Sequence, residues 1–138
     1  MTQPASLRKS SPDLSGLTIL VVEDDADSRN LLRDVLRSRG ATVVEAEEVL
    51  TAQEYIRNLK VDLVVTDLAL PGRDGVWLLK WLREQPRERG GTLPAIAVTA
   101  YDKRYPPTDL SGWAAYFGKP LDLGELVRTI AAILTRPT

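Results

Sequence analysis

Five apolar runs, each short and nearly uninterrupted, alternate along this chain with stretches of helical periodicity. The runs are Leu17–Val22, Ala41–Glu45, Leu63–Val65, Pro94–Ala100 and Ala114–Gly118. Between them, Asp27–Arg39 places Leu31, Leu32, Val35 and Leu36 at helical spacing, with Gly40 where a C-cap belongs. Val49–Leu59 carries Ala52, Ile56 and Leu59 inward, and Val76–Glu84 sets Trp77 and Trp81 one turn apart. A last amphipathic helix is expected at Leu123–Leu134. A strand with no polar alternation is buried on both faces, so these runs predict a parallel sheet covered by helices on either side. Right-handed crossovers then leave few topologies.

The remaining segments punctuate this pattern. Met1–Gly16 is rich in Ser and Pro and lacks periodicity, which predicts a flexible arm or linker over 1–16 and a folded domain over 17–138. Gln85–Thr92 reads as an exposed loop. Tyr101–Trp113 is irregular, with Pro106 and Pro107 in its middle and Gly112 close to the fifth strand. Each proline biases the residue before it away from helical backbone, so any helix here is shortened or replaced by a loop.

The polar residues fall where the strands end. Glu23 and Asp24 follow strand 1, Asp67 follows strand 3, Thr99 ends strand 4 and Lys119 follows strand 5. In a parallel sheet these ends share one edge, the edge at which open α/β folds bind ligands. Each residue has an ordinary structural reading: the Glu23-Asp24-Asp25 run can cap a helix, Asp67 a turn, Thr99 can be a plain β-former and Lys119 a solvated charge. Their joint placement carries the functional reading. Carboxylates gathered at one point repel unless a cation sits among them. The chain has no Cys and no His, which excludes disulfides, thiolate nucleophiles and the usual zinc ligands. A metal here is therefore hard and oxygen-bound, with Mg²⁺, Mn²⁺ and Ca²⁺ the candidates, and Mg²⁺ suits the cluster because it takes one or two carboxylates and keeps several waters. Carboxylates, metal, hydroxyl and ammonium together describe a phosphoryl-transfer site. A formal net charge of −1 gives no electrostatic case for nucleic acid or an anionic membrane. Without a signal peptide or an apolar run of transmembrane length, the cytoplasm is the default location.

In order along the chain, V-V-E-D-D, V-V-T-D-L-A-L-P-G-R-D-G, A-V-T-A and Y-F-G-K-P resemble the receiver domain of two-component response regulators. The resemblance covers about Leu17–Leu134. It implies a flavodoxin-like (βα)5 fold with sheet order 2-1-3-4-5. It implies that Asp67 accepts a phosphoryl group from a phosphohistidine on a sensor histidine kinase or histidine phosphotransfer protein. Asp24 would then bind Mg²⁺ directly, Glu23 through water, and Asp67 and the backbone carbonyl of Ala69 would complete the protein ligands. Lys119 would reach the phosphoryl oxygens and precede a cis peptide bond to Pro120. Thr99 would hydrogen-bond the phosphoryl group, with Tyr116 swinging inward behind it as the second half of a switch. Asp25 receives no direct role. Such a chain is not an enzyme on an outside substrate: it catalyses its own phosphorylation and dephosphorylation. No residue identifies its downstream target.

Two rival readings follow from the same residues. A phosphatase of the haloacid-dehalogenase type also phosphorylates an Asp at a strand end, but needs a second acid two residues later, where this chain has Ala69. A degenerate receiver would act as a binding module without accepting phosphate, although every chemical position is filled here.

Overall fold

Every residue of β1 (Thr18–Val22) beyond Thr18 is buried, as in a strand with apolar layers on both sides. A computed structural model of the chain describes residues 12–100 and 112–134. Over these, β1 leads to α1 (Ala26–Ser38), β2 (Thr42–Ala46), α2 (Val49–Asn58), β3 (Leu63–Thr66) and α3 (Gly75–Arg83). A 3-10 turn (Arg87–Arg89), β4 (Ala95–Thr99), β5 (Ala115–Gly118) and α4 (Leu123–Leu134) complete the order. The five strands form one parallel sheet, β2-β1-β3-β4-β5, the flavodoxin-like arrangement. The expected shortening or loss of a helix between strands 4 and 5 falls on residues 101–111, outside the described residues, as does most of the N-terminal arm.

Side-chain alternation divides the core in two. Ile19, Val21, Leu63, Val65, Ile96 and Val98 pack with Leu32 and Leu36 of α1 and with Leu126, Val127 and Ile130 of α4. On the opposite face Leu20, Val22 and Val64 pack with Ala52 and Ile56 of α2 and with Leu78 and Leu82 of α3. Each fully buried aliphatic side chain contributes about 1.5–3 kcal/mol.

Three residues depart from the sequence-based expectation. Leu31 is 55% exposed: its neighbour Leu32 takes the inward position on α1. Leu59 is 46% exposed because α2 ends at Asn58 and Leu59 is already extended, with φ −126° and ψ 153°. Leu14, within the stretch read as an arm, is fully buried in the α1–α4 core, and its N–H donates to the Arg39 carbonyl at 2.7 Å. Packing thus reaches three residues ahead of Leu17.

The topology sets up the site. From β1 the chain moves outward to β2, then returns to the other side of β1 with β3. The reversal opens a crevice at the C-terminal ends of β1 and β3.

Candidate functional site

Asp67 is the first residue past β3. Its N–H still donates to the Val22 carbonyl at 3.0 Å, so the ladder with β1 holds it in place. Its own carbonyl accepts from the Thr66 hydroxyl at 2.8 Å. The following loop closes tightly on that same peptide. A Cβ on Gly75 would lie 2.5 Å from the Asp67 carbonyl oxygen, so only glycine lets the start of α3 approach so closely. Asp74 caps α3 by accepting from the Trp77 N–H at 2.9 Å. Asp67 is 8% exposed. Its Oδ1 accepts from the Ala69 N–H at 3.0 Å, and its Oδ2 from Lys119 Nζ at 2.9 Å.

Glu23 and Asp24 follow β1 directly and differ in burial. Glu23 is buried, with Oε1 accepting from Lys119 Nζ at 2.8 Å and Oε2 facing the Asp25 N–H at 3.3 Å. Burial pushes its carboxyl above the ordinary value of 4.5, and the nearby Asp67 charge adds to this while Lys119 opposes it. Asp24 is exposed at the rim. Asp25 does what the structural reading of the acidic run allowed: it caps α1, accepting from the Ser28 N–H at 2.8 Å.

Lys119 follows β5 directly, and its N–H donates to the Thr99 carbonyl at 3.0 Å, tying the ends of β4 and β5 together. The peptide bond to Pro120 is cis. Burial alone would lower the Lys119 pKa, but its bonds to Glu23 and Asp67 and their charges outweigh that and raise it. Thr99 is buried at the end of β4. Tyr116 is half-buried on β5 opposite Ala97, so it shares a sheet face with Thr99, two residues further along β4.

The structure therefore gathers Glu23, Asp24, Asp67 and Lys119 at one point, with Ala69 bound to Asp67 through its N–H and Thr99 bound to Lys119 through its carbonyl. Glu23, Asp24 and Asp67 each offer a carboxylate oxygen, and these lie within 4.8 Å of one another. Among the described residues, one ammonium, that of Lys119, bonds to this group of three carboxylates. An all-oxygen donor set with excess negative charge suits a hard dication such as Mg²⁺. Sequence reasoning missed Arg29, whose Nη1 donates to the Glu23 carbonyl at 2.9 Å. Its partner there is a backbone carbonyl, so no side-chain pattern in the sequence marks it.

Comparison with known proteins agrees with this geometry. The model of the response regulator receiver domain matches residues 19–131. An uncharacterized 14.6 kDa protein in the sodA1 3′ region of Leptolyngbya boryana is 40% identical over 119 residues, spanning 85% of this chain and 89% of its own. The polar-differentiation response regulator DivK of Brucella anthropi is 29% identical, over 85% of this chain and 95% of its own. The crystal structure of a putative response regulator from Chloroflexus aurantiacus superposes with a TM-score of 0.75 at 34% identity, covering 87% of this chain and 98% of that one. With the family model spanning most of its length, this chain belongs to the response regulator receiver domains.

Proposed function

We propose that the chain is a phosphorylation-activated switch or phosphorelay intermediate, with Asp67 accepting a phosphoryl group from a phosphohistidine on a sensor histidine kinase or histidine phosphotransfer protein. The carrying observation is the Asp67 carboxylate itself, held at a strand tip by Lys119 on one oxygen and the Ala69 N–H on the other. An Asp67 oxygen attacks phosphorus in line with the phosphorus–nitrogen bond. The phosphorus–oxygen bond forms, the phosphorus–nitrogen bond breaks, and the nitrogen keeps its electron pair. With a proton on its other nitrogen, the partner's ring leaves as neutral imidazole, and Asp67 becomes an acyl phosphate.

Glu23, Asp24, Asp67 and the Ala69 carbonyl would hold Mg²⁺, which supplies charge neutralisation for the phosphoryl oxygens. Lys119, already within hydrogen-bond reach of Asp67, would transfer its bond to a phosphoryl oxygen. Thr99 would donate its hydroxyl to another, and Tyr116, on the same sheet face, would move inward behind it. In this reading the working unit is residues 17–138, with Leu14 of the preceding segment packed into its core. No helix among the described residues is long and apolar enough to cross a membrane. A cytoplasmic location suits the proposed partners.

Incubation with acetyl phosphate and Mg²⁺, followed by intact mass measurement, tests the reading. One phosphoryl adduct is expected, dependent on the metal and released by hydroxylamine as acyl phosphates are. A chain that gains no adduct is a binding module instead, and one that continuously releases phosphate from added phosphomonoesters is a phosphatase.

A further inference from the structure

Arg29 is the one cation that reaches the backbone of the acidic run among the described residues, and the phosphorylation reading assigns it nothing. Its side chain is 13% exposed, and all three guanidinium nitrogens are engaged. Nη1 donates to the Glu23 carbonyl at 2.9 Å. Nε lies 3.5 Å from Glu45 Oε1, and Nη2 lies 3.4 Å from Glu47 Oε1. The Glu23 carbonyl is where the β1 ladder runs out: the Glu23 N–H still donates to Ala46 at 3.0 Å, but the strand has ended at Val22. A carbonyl at that point needs a partner, and the orientation of the partner sets the plane of the Glu23–Asp24 peptide.

That plane decides where the two carboxylates point. Glu23 has a second restraint in Lys119, whereas Asp24 stands exposed and takes its direction from the backbone. Arg29 is itself anchored twice: its N–H donates to Asp25 at 2.9 Å within α1, and Glu45 and Glu47 hold the guanidinium from the β2 side. A planar fork holds the carbonyl at the end of β1 and two carboxylates on the β2 side in one fixed plane, a geometry that a point-like ammonium does not impose.

We propose that Arg29 is a positioning residue for the metal, holding the Glu23–Asp24 peptide so that both carboxylates converge with Asp67. The inference rests on the receiver reading above and deepens it. It makes a prediction opposite in sign to simple electrostatics. A positive charge beside a carboxylate site repels Mg²⁺, so on charge alone the loss of Arg29 would tighten Mg²⁺ binding. Positioning requires that it weaken.

The test is calorimetric titration of the full chain with Mg²⁺, comparing wild type with Arg29→Met and Arg29→Lys, each checked for folding by circular dichroism. Affinity is expected to fall by about tenfold or more in Arg29→Met, the scale at which groups that orient metal ligands act. Arg29→Lys keeps the charge and, as the milder change, tests the inference even if Arg29→Met does not fold; it should also bind more weakly. Variants that bind Mg²⁺ as tightly as wild type or more tightly overturn the inference, even if their melting temperatures drop. A wild-type chain that binds no Mg²⁺ overturns the receiver reading, and this inference with it.

Discussion

Lys119 Nζ stands 2.9 Å from Asp67 Oδ2, and the same ammonium lies 2.8 Å from Glu23 Oε1. The cation from the fifth strand thus bridges carboxylates delivered by the third and the first. It also sits where phosphoryl oxygens would arrive, so its removal separates phosphoryl chemistry from metal binding. Lys119→Met is expected to slow phosphoryl uptake from acetyl phosphate by about a hundredfold, as loss of a preorganised donor does. Mg²⁺ affinity should be unchanged or greater, since a repelling charge has gone. Labelling rates and Mg²⁺ titration of the same variant check both halves; uptake near the wild-type rate contradicts the assignment.

Glu23 predicts a pH dependence. Its folded carboxyl titrates above 4.5, chiefly through burial. The folded state therefore binds this proton more tightly than the unfolded state does. Stability contributed by Glu23 is present below 4.5 and is lost as pH rises through the folded value. In metal-free protein, Glu23→Gln should gain stability relative to wild type across that window and hold the gain above it. Denaturant midpoints measured across the acid range decide this, and a relative loss with rising pH contradicts it.

Gly75 predicts a cost of close approach. A methyl group there would meet the Asp67 carbonyl oxygen at 2.5 Å and the Leu68 Cα at 3.0 Å, both backbone atoms. Gly75→Ala should destabilise the fold by about 1–3 kcal/mol, the range for forced overpacking. Because the strain falls on the Asp67 peptide, phosphoryl uptake should slow as well. Denaturant unfolding and labelling of the variant test the two effects separately.

Leu14 and Leu31 predict opposite outcomes from the same substitution. Leu14 is fully buried and Leu31 is 55% exposed. Leu14→Ala should cost about 2–5 kcal/mol through the cavity it leaves. Leu31→Ala should stay within about 0.5 kcal/mol. Equal unfolding midpoints for the two variants would contradict the packing described.

The sheet and its candidate site edge were legible for one reason. Uninterrupted apolar strands imply a parallel sheet, and a parallel sheet puts the residues after each strand on one edge. Glu23, Asp67 and Lys119 could therefore be placed together before any distance was measured. What escaped the sequence depended on local facing or on backbone partners. Helical spacing marks Leu31 and Leu32 alike, and only packing shows that Leu32 points inward. Leu14 has no periodic neighbours among the serines and prolines around it, so nothing marks it as core. Arg29 binds a carbonyl, a group every residue carries, and such a bond leaves no signature in side-chain pattern. The need for glycine at position 75 is likewise a matter of what its missing methyl would strike.

The central claim is that Asp67, and no other residue, takes the phosphoryl group. The most direct measurement is the intact mass of wild type and Asp67→Asn after incubation with acetyl phosphate, with and without Mg²⁺. The account predicts one phosphoryl adduct on wild type, only with Mg²⁺, and none on Asp67→Asn under either condition. An Asp67→Asn chain that gains the same adduct, or a wild-type chain labelled equally well without the metal, would contradict it.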